Sequence, residues 1–372
     1  MGEKIFDIHI FQNRIPDYRI RFFTSLLDRS ASLGYAIKIY ISSVPFQSRS
    51  DNGAYKVPHF KIRTFLFSCK GFKLEFFYPK KEYFQADLNI LEFGFRNIFQ
   101  LLCLKLFSNG RIAFWGHGEE NSRHFSKIER RIRKILLNFA DFFFVYTKSG
   151  YEYLVKNSSF KPNQIIIVNN STDTEYLSQI VNQIKSNSRI ETSTSSLQIG
   201  CFASLEKSKK VEKVFEIHQI LSDKIPNIKT LICGDGPDRS KLESSAPNGI
   251  HFTGRLSPQN LAKVSQGLFA LVAPGPVGLV VTDSFALGVP LIVSSNQNHG
   301  PEFSYLQNGY NCIIIEDRID EYVQAVLRLG NDPMLQRVLS RGMKESLGLY
   351  GINQMTNNFL DGITKCLYSD FS

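Results

Sequence analysis

Apolar and polar positions along the chain fall into short runs that switch between two periods. Residues 4–11 alternate as a strand, and residues 20–32 set Phe22, Phe23, Leu26, Leu27 and Leu33 near one helix face. Residues 36–41 are a second strand. Strand, loop, helix, strand is the opening of a doubly wound sheet, whose ligands sit at the carboxyl ends of the strands. The same reading predicts strands at 88–92, 111–115, 141–146 and 165–168, with helices at 95–107 and 149–156. A second series follows: strands at 197–202, 229–233, 250–252, 269–273, 291–293 and 312–315, and helices at 278–287, 320–329, 334–347 and 353–367. Residues 43–84 are irregular, basic and rich in Phe and Tyr, a pattern open to a small packed sheet, a nucleic-acid surface or a membrane interface.

Two series of alternating strands and helices in 372 residues predict two α/β domains, each with its own core. Residues 178–196 turn polar and rich in Ser, Asn and Thr, which sets the boundary near residue 185: a first domain at 1–185, a second at 186–350, and a closing helix at 351–372. The hydrophobic share is 43%, and no uncharged apolar run is long enough to span a bilayer. The start of the chain lacks a signal-peptide pattern, so the expectation is a cytoplasmic protein. The six Cys form no C-x-x-C pair and mostly sit in apolar runs, which predicts reduced, buried thiols and neither a disulfide framework nor a metal site.

The net charge of +10 is lopsided: residues 1–185 carry 27 Lys and Arg against 16 Asp and Glu, and residues 186–372 carry 17 against 18. The first half is therefore expected to face something acidic: nucleic acid, an anionic membrane surface or a phosphorylated acceptor. A helix after residue 118 carries Arg123, Lys127, Arg130, Arg131 and Lys134 on one face and Phe125, Ile128, Ile132, Ile135, Leu136 and Phe139 on the other. That is either a solvated face over a core face, or a contact with anionic headgroups.

Two stretches carry candidate chemistry. Residues 275–293 read as a Gly- and Pro-rich turn, a short helix ended by Gly288 and Pro290, and a buried strand. Such a turn leaves backbone N–H groups free at the positive end of a helix, ready for a phosphate, with Asp283 further along; a plain β-α-β unit gives the same pattern. His117 lies between Gly116 and Gly118 at a strand's carboxyl end, accessible to a ligand or simply solvated.

The stretch from Gly275 resembles the donor-binding signature of the family 4 glycosyltransferases of the GT-B fold, in which two acidic residues bracket a Gly-Leu-Val turn. Asp283 stands at the second acidic position and Gly275 at the first, a departure. The resemblance extends to His117, to Asn170–Asp173, to Gly234–Pro237, to Arg255 and Leu256, and to Lys209, while Ser204 stands where the family has Arg. It implies a GT-B fold: two Rossmann-like β/α/β domains facing a cleft, with the last helix crossing back to the first domain. It implies transfer from a nucleotide sugar to a glycan or lipid-linked acceptor, with retention, without a bound metal or further cofactor, in capsule, O-antigen, lipopolysaccharide or exopolysaccharide synthesis.

By the same resemblance Ser204, Lys209, Gly234, Arg255, Leu256, Gly275, Gly278, Leu279, Val280 and Asp283 line the donor, and Lys207 or Lys210 adds charge. His117, Lys209 and Asp283 act at the reacting sugar, phosphate and ribose, and Asn13, Tyr18 and Arg19 face the acceptor. Gly275 is compatible with an altered sugar preference, with a substitute acid such as Glu302, or with lost activity. Two competing readings share the fold: a catalytically impaired scaffold or binding protein, and a sugar-nucleotide epimerase. No nucleic-acid motif is present, so the partners expected are the nucleotide sugar, the acceptor and an anionic membrane surface.

Overall fold

The structure, a computed structural model, describes residues 4–43, 56–69, 72–118, 126–187 and 197–369. Arg123, Phe125 and the polar stretch 188–196 lie outside the described residues. The chain forms two compact units, Met1–Asn170 with Ile352–Ser372, and Ser171–Gly351.

The first unit is built on β1 (Phe6–Gln12), α1 (Ile20–Ser30), β2 (Tyr35–Ser42), β3 (Phe60–Ile62), β4 (Thr64–Cys69), β5 (Phe72–Phe77), β6 (Leu88–Glu92), α2 (Ile98–Phe107), β7 (Arg111–Gly116), α3 (Lys127–Leu137), β8 (Phe142–Val145), α4 (Lys148–Asn157) and β9 (Ile165–Ile167). Its sheet runs β3-β2-β1-β6-β7-β8-β9, all parallel. Central strands buried on both sides read as continuous apolar runs, as Phe142–Val145 does. The aromatic stretch resolves into a separate antiparallel hairpin, β4 with β5. The buried Glu75 of β5 pairs with Arg96, which ties the hairpin to the start of α2.

The second unit follows with α5 (Thr174–Asn187), β10 (Gln198–Phe202), α6 (Glu212–Ser222), β11 (Lys229–Cys233), α7 (Arg239–Ser245), β12 (Ile250–Gly254), α8 (Pro258–Ser265), β13 (Leu268–Ala273), α9 (Val280–Leu287), β14 (Leu291–Ser294), β15 (Cys312–Ile315), α10 (Ile319–Asn331) and α11 (Pro333–Tyr350). Its parallel sheet runs β12-β11-β10-β13-β14-β15. The last helix, α12 (Ile352–Tyr368), belongs to the first unit, where Phe359 packs on Phe22, Trp115 and Phe144.

Two expectations are corrected. The chain leaves the first unit at Asn170, before the boundary read near residue 185. The segment read there as a polar linker begins as α5, whose Leu177 and Val181 are buried with Leu268, Phe285 and Leu287 of the second unit. On α3 the buried face is Glu129, Leu136 and Leu137, while Ile128 and Ile135 are exposed. The cause is local: Ser126 caps α3 and exchanges hydrogen bonds with Glu129, which fixes Glu129 inward, and Arg133 stacks on Phe93 at 4.7 Å. Among the described residues Cys103, Cys201, Cys233, Cys312 and Cys366 are buried free thiols, and no helix is long and apolar enough to cross a membrane.

Candidate active site

In the second unit, the loops that follow β10, β11 and β13 meet at the carboxyl ends of the strands, where a doubly wound sheet takes its ligands. Glycine allows their close approach. A Cβ on Gly234 would lie 1.8 Å from the Ala203 carbonyl oxygen, and one on Gly236 would lie 2.3 Å from that of Leu205. Leu205 N–H donates to the Asp235 carbonyl and Asp238 N–H to that of Leu205, so the two loops form one rigid floor. Ser204 Oγ donates to Glu206 at 3.0 Å, and Arg255 and Leu256 follow β12 on the adjoining loop.

The Gly-rich turn Gly275–Leu279 stands at the end of β13 and opens α9. Lys209 Nζ donates to the Pro276 carbonyl at 2.7 Å, placing its ammonium at the turn. Lys210, by contrast, pairs with Asp317 together with Lys213, so its charge is already matched; Lys207 is exposed. The N–H groups of Gly278, Leu279 and Val280 find no acceptor among the described residues. They form the open first turn of α9, carrying the partial positive charge that attracts an anion. Gly288, in the left-handed conformation, closes the helix.

Asp283 lies in that first turn. Thr172 Oγ1 donates to its Oδ1 at 2.7 Å. Desolvation raises the Asp283 carboxyl to about 6, against the lowering effect of the Thr172 hydrogen bond. Gly275 is closed to any side chain, because a Cβ there would lie 2.5 Å from the Lys209 main chain. A second carboxylate at the turn belongs to Glu302, which is buried, with Oε2 3.6 Å from where a Cβ on Gly278 would stand. His299 holds the turn from below: Val277 N–H donates to Nδ1 at 3.1 Å, and Nε2 donates to the Ser294 carbonyl at 2.7 Å. Its ring stacks on Phe303 at 4.0 Å, and burial followed by Lys209 lowers its pKa, so it serves as a neutral brace. Neither Thr172 nor His299 was singled out from sequence; both act through residues far along the chain.

In the first unit, His117 follows β7, where Gly118 takes a positive φ of 78° and a Cβ would press on Val145 and the Gly150 carbonyl. Solvent reaches the His117 ring, yet most of its surroundings are protein. That desolvation, then Arg19 and Arg133, lowers its pKa to about 4, so the ring is neutral at physiological pH. Its edge meets Tyr146 at 4.9 Å. Asn13, after β1, donates through its side chain to Glu92 at 2.9 Å. Tyr18 is exposed, whereas Arg19 is buried. No group of three or more His, Cys, Asp or Glu side chains among the described residues can hold a metal ion.

Residues 196–332, which include the entire Gly-rich turn and α9, match the family model described as Glycosyl transferases group 1. The chain is a glycosyltransferase. Its fold is that of a glycosyltransferase from Rickettsia africae, with a TM-score of 0.73 at 12% identity over 99% of this chain and 100% of that one. Anabaena HepE, solved in complex with UDP-glucose, superposes with a TM-score of 0.66 at 11% identity over 96% and 99% of the two chains. A mutant of S. aureus TarM in complex with UDP aligns with a TM-score of 0.64 at 10% identity over 98% and 100%. No curated protein sequence matches the chain. At these identities the neighbours share the GT-B fold of paired Rossmann-like α/β units with this glycosyltransferase, and the matched domain carries the activity class.

Proposed function

We propose that this glycosyltransferase takes a sugar from a nucleotide-sugar donor and transfers it, with retention and without a metal, to a glycan or lipid-linked acceptor in cell-surface polysaccharide synthesis. The observation that carries the reading is the open turn of α9: three unpaired N–H groups and the Asp283 carboxyl in one turn of chain, with the Lys209 ammonium brought to it from the loop after β10. A nucleoside diphosphate has complementary chemistry. Its phosphates are anionic, and its ribose hydroxyls donate hydrogen bonds.

In this reading Asp283 accepts from the ribose, with Thr172 fixing its orientation. The N–H groups of Gly278, Leu279 and Val280, together with Lys209, stabilise charge as the diphosphate leaves. Donors fixed before the reaction pay no reorganisation cost, and losing one such donor typically costs about 3 kcal/mol of barrier. Glu302 takes the sugar-hydroxyl contact that Gly275 cannot make, and Ser204, Gly234, Arg255 and Leu256 edge the nucleotide. The neutral His117 acts at the sugar, and Asn13, Tyr18 and Arg19 face the acceptor. The neighbours solved with UDP or UDP-glucose support a uridine donor.

The partner surface supports a membrane-borne acceptor. The hairpin β4–β5, α2 and α3 cover one face of the first sheet, with buried residues in a single core cluster. β4 and α2 expose Phe65, Phe67, Leu106 (75% exposed) and Phe107, and α3 exposes Ile128 (72%) and Ile135 interleaved with Lys127, Arg130, Arg131 and Lys134. Apolar side chains among fixed cations suit the interface of an anionic bilayer, in keeping with a peripheral protein on the inner membrane face.

The test is product analysis. The protein is incubated with UDP-sugars and lipid-linked acceptors, UDP release is followed, and the new anomeric proton is read by NMR. Retention of the donor configuration in an acceptor-dependent product supports the proposal. Donor isomerised without acceptor would instead support the epimerase reading.

A further inference from the structure

We propose that Arg19 is the counter-charge of an oxyanion, a phosphate or carboxylate, that docks at the carboxyl end of the first sheet. Arg19 is 4% exposed. Its guanidinium lies 5.0 Å from the Trp115 ring, 5.1 Å from Tyr146, 5.4 Å from Tyr18 and 5.8 Å from Phe22. Its hydrogen-bond acceptor among the described residues is Met355 Sδ, at 3.4 Å, and no carboxylate pairs with it. The buried carboxylates of this unit are engaged elsewhere, Glu75 with Arg96 and Glu129 in the cap of α3.

A buried cation without a counter-ion is costly, and a guanidinium carries five donors in a planar fork suited to two oxygens at once. Aromatic faces compensate only part of the lost hydration. The charge lies one side chain below the surface, since Tyr18, which stacks on it, is 39% exposed. His117 lies against the same Tyr146, in a T-shaped contact with ring centroids 4.9 Å apart. A neutral imidazole there adds a hydrogen-bond donor without adding charge. The aromatic cage, the unmatched guanidinium and the neutral His117 thus converge at the loop end of β1 and β7, where a doubly wound sheet binds ligands.

Two sources carry such an oxyanion, the diphosphate of the donor and an acidic group on the acceptor. The existence of the site does not depend on the proposed transfer reaction; only the source does. Trp115 is the only tryptophan in the chain, so its emission reports on the cage directly. The full-length protein is titrated with inorganic phosphate, with sodium chloride at matched ionic strength as the reference.

The expected result is a saturable change in Trp115 emission with phosphate and not with chloride. It is lost in Arg19→Gln, and in Arg19→Lys the affinity falls about tenfold as the fork is replaced by a point charge. Should Arg19→Gln fail to fold, the wild-type titration and Arg19→Lys decide the matter. A response to UDP that needs Arg19 assigns the oxyanion to the donor. A response to a simple sugar phosphate that needs Arg19, with UDP affinity unchanged by the substitution, assigns it to the acceptor. Phosphate that leaves Trp115 emission unchanged, or changes it equally in Arg19→Gln, overturns the proposal and leaves Arg19 a packing residue.

Discussion

Gly275 lies flat against the main chain of Lys209, so close that a Cβ on it would stand 2.5 Å from the Lys209 Cα, carbonyl carbon and carbonyl oxygen. The two loops that would flank a bound diphosphate are joined there backbone to backbone, and the same approach lets Lys209 Nζ reach the Pro276 carbonyl. The departure at Gly275 is therefore built into the fold of the turn.

Restoring an acid at this position is predicted to fail. Gly275→Glu should push the loops apart, lower the thermal midpoint and weaken nucleotide binding, because a contact below 3 Å against backbone cannot be relieved by rotating a side chain. Calorimetric titration with UDP checks this. Glu302→Gln, which leaves the turn intact, should instead lower kcat for the sugar donor while UDP itself still binds.

The ionisation of Asp283 sets a pH signature. Its carboxyl is raised to about 6 by desolvation, so the protein takes up a proton on folding between pH 3.8 and about 6. This group's contribution to stability is full below that window and is lost as pH rises through it. Nucleotide binding should show the opposite trend, since the charged form is the better acceptor for ribose hydroxyls. UDP affinity is expected to fall as pH drops below about 6, and to be weaker and flat across this range in Asp283→Asn.

His117 gives a mirrored signature. Its pKa is lowered to about 4 by burial, Arg19 and Arg133, so folding releases a proton between about 4 and 6.5. Its contribution to stability is present above pH 6.5 and is lost as pH falls toward 4. An NMR titration of the imidazole should place its midpoint near 4 and move it upward in Arg19→Gln. A midpoint near 6.5 in the wild type would show that the ring is freely hydrated.

The closing helix holds the first unit together through Phe359, which is fully buried with ring centroids 4.9 Å from Trp115 and 4.7 Å from Phe144. Phe359→Ala should cost about 3–5 kcal/mol, as large-to-small changes in aromatic cores do. Urea unfolding followed by Trp115 emission measures it, and a loss under about 1 kcal/mol would mean that α12 contributes little to this core.

The exposed apolar face predicts lipid binding that depends on both charge and hydrophobicity. Cosedimentation with vesicles containing phosphatidylglycerol should be strong at low salt and weak with neutral phosphatidylcholine. Replacing Phe65, Phe67, Leu106 and Phe107 by Ser should reduce binding without altering UDP affinity. Equal sedimentation of wild type and variant would refute the contact.

How much of this was legible from sequence follows from how local each feature is. The turn at residues 275–280, the length of α9 and its stop at Gly288 came from punctuation by Gly and Pro, which acts within a few residues. The strands of both sheets other than β3 followed from apolar runs, while β3 lies in the stretch read as irregular. The helix α5 was missed because Ser, Asn and Gln between Leu177, Val181 and Ile184 mask a helical spacing that only packing on α8 and α9 reveals. The buried face of α3 departs from the expected one because apolar character alone places Ile128 and Ile135 inward, whereas the cap at Ser126 turns Glu129 inward. The Thr172–Asp283 bond and the brace from His299 join positions brought together only by the sheet, and no local pattern encodes them.

The most direct test is thermal unfolding of the full chain with a panel of UDP-, GDP-, ADP-, dTDP- and CMP-sugars, on the wild type and on Lys209→Ala. A ligand that binds only the folded state at a hundredfold excess over its dissociation constant adds about 2.7 kcal/mol of stability. A rise in midpoint with sugars of one base, reduced in Lys209→Ala, is the predicted result and names the donor nucleotide. A folded wild-type protein whose midpoint no nucleotide sugar moves would contradict the donor site and favour an impaired scaffold.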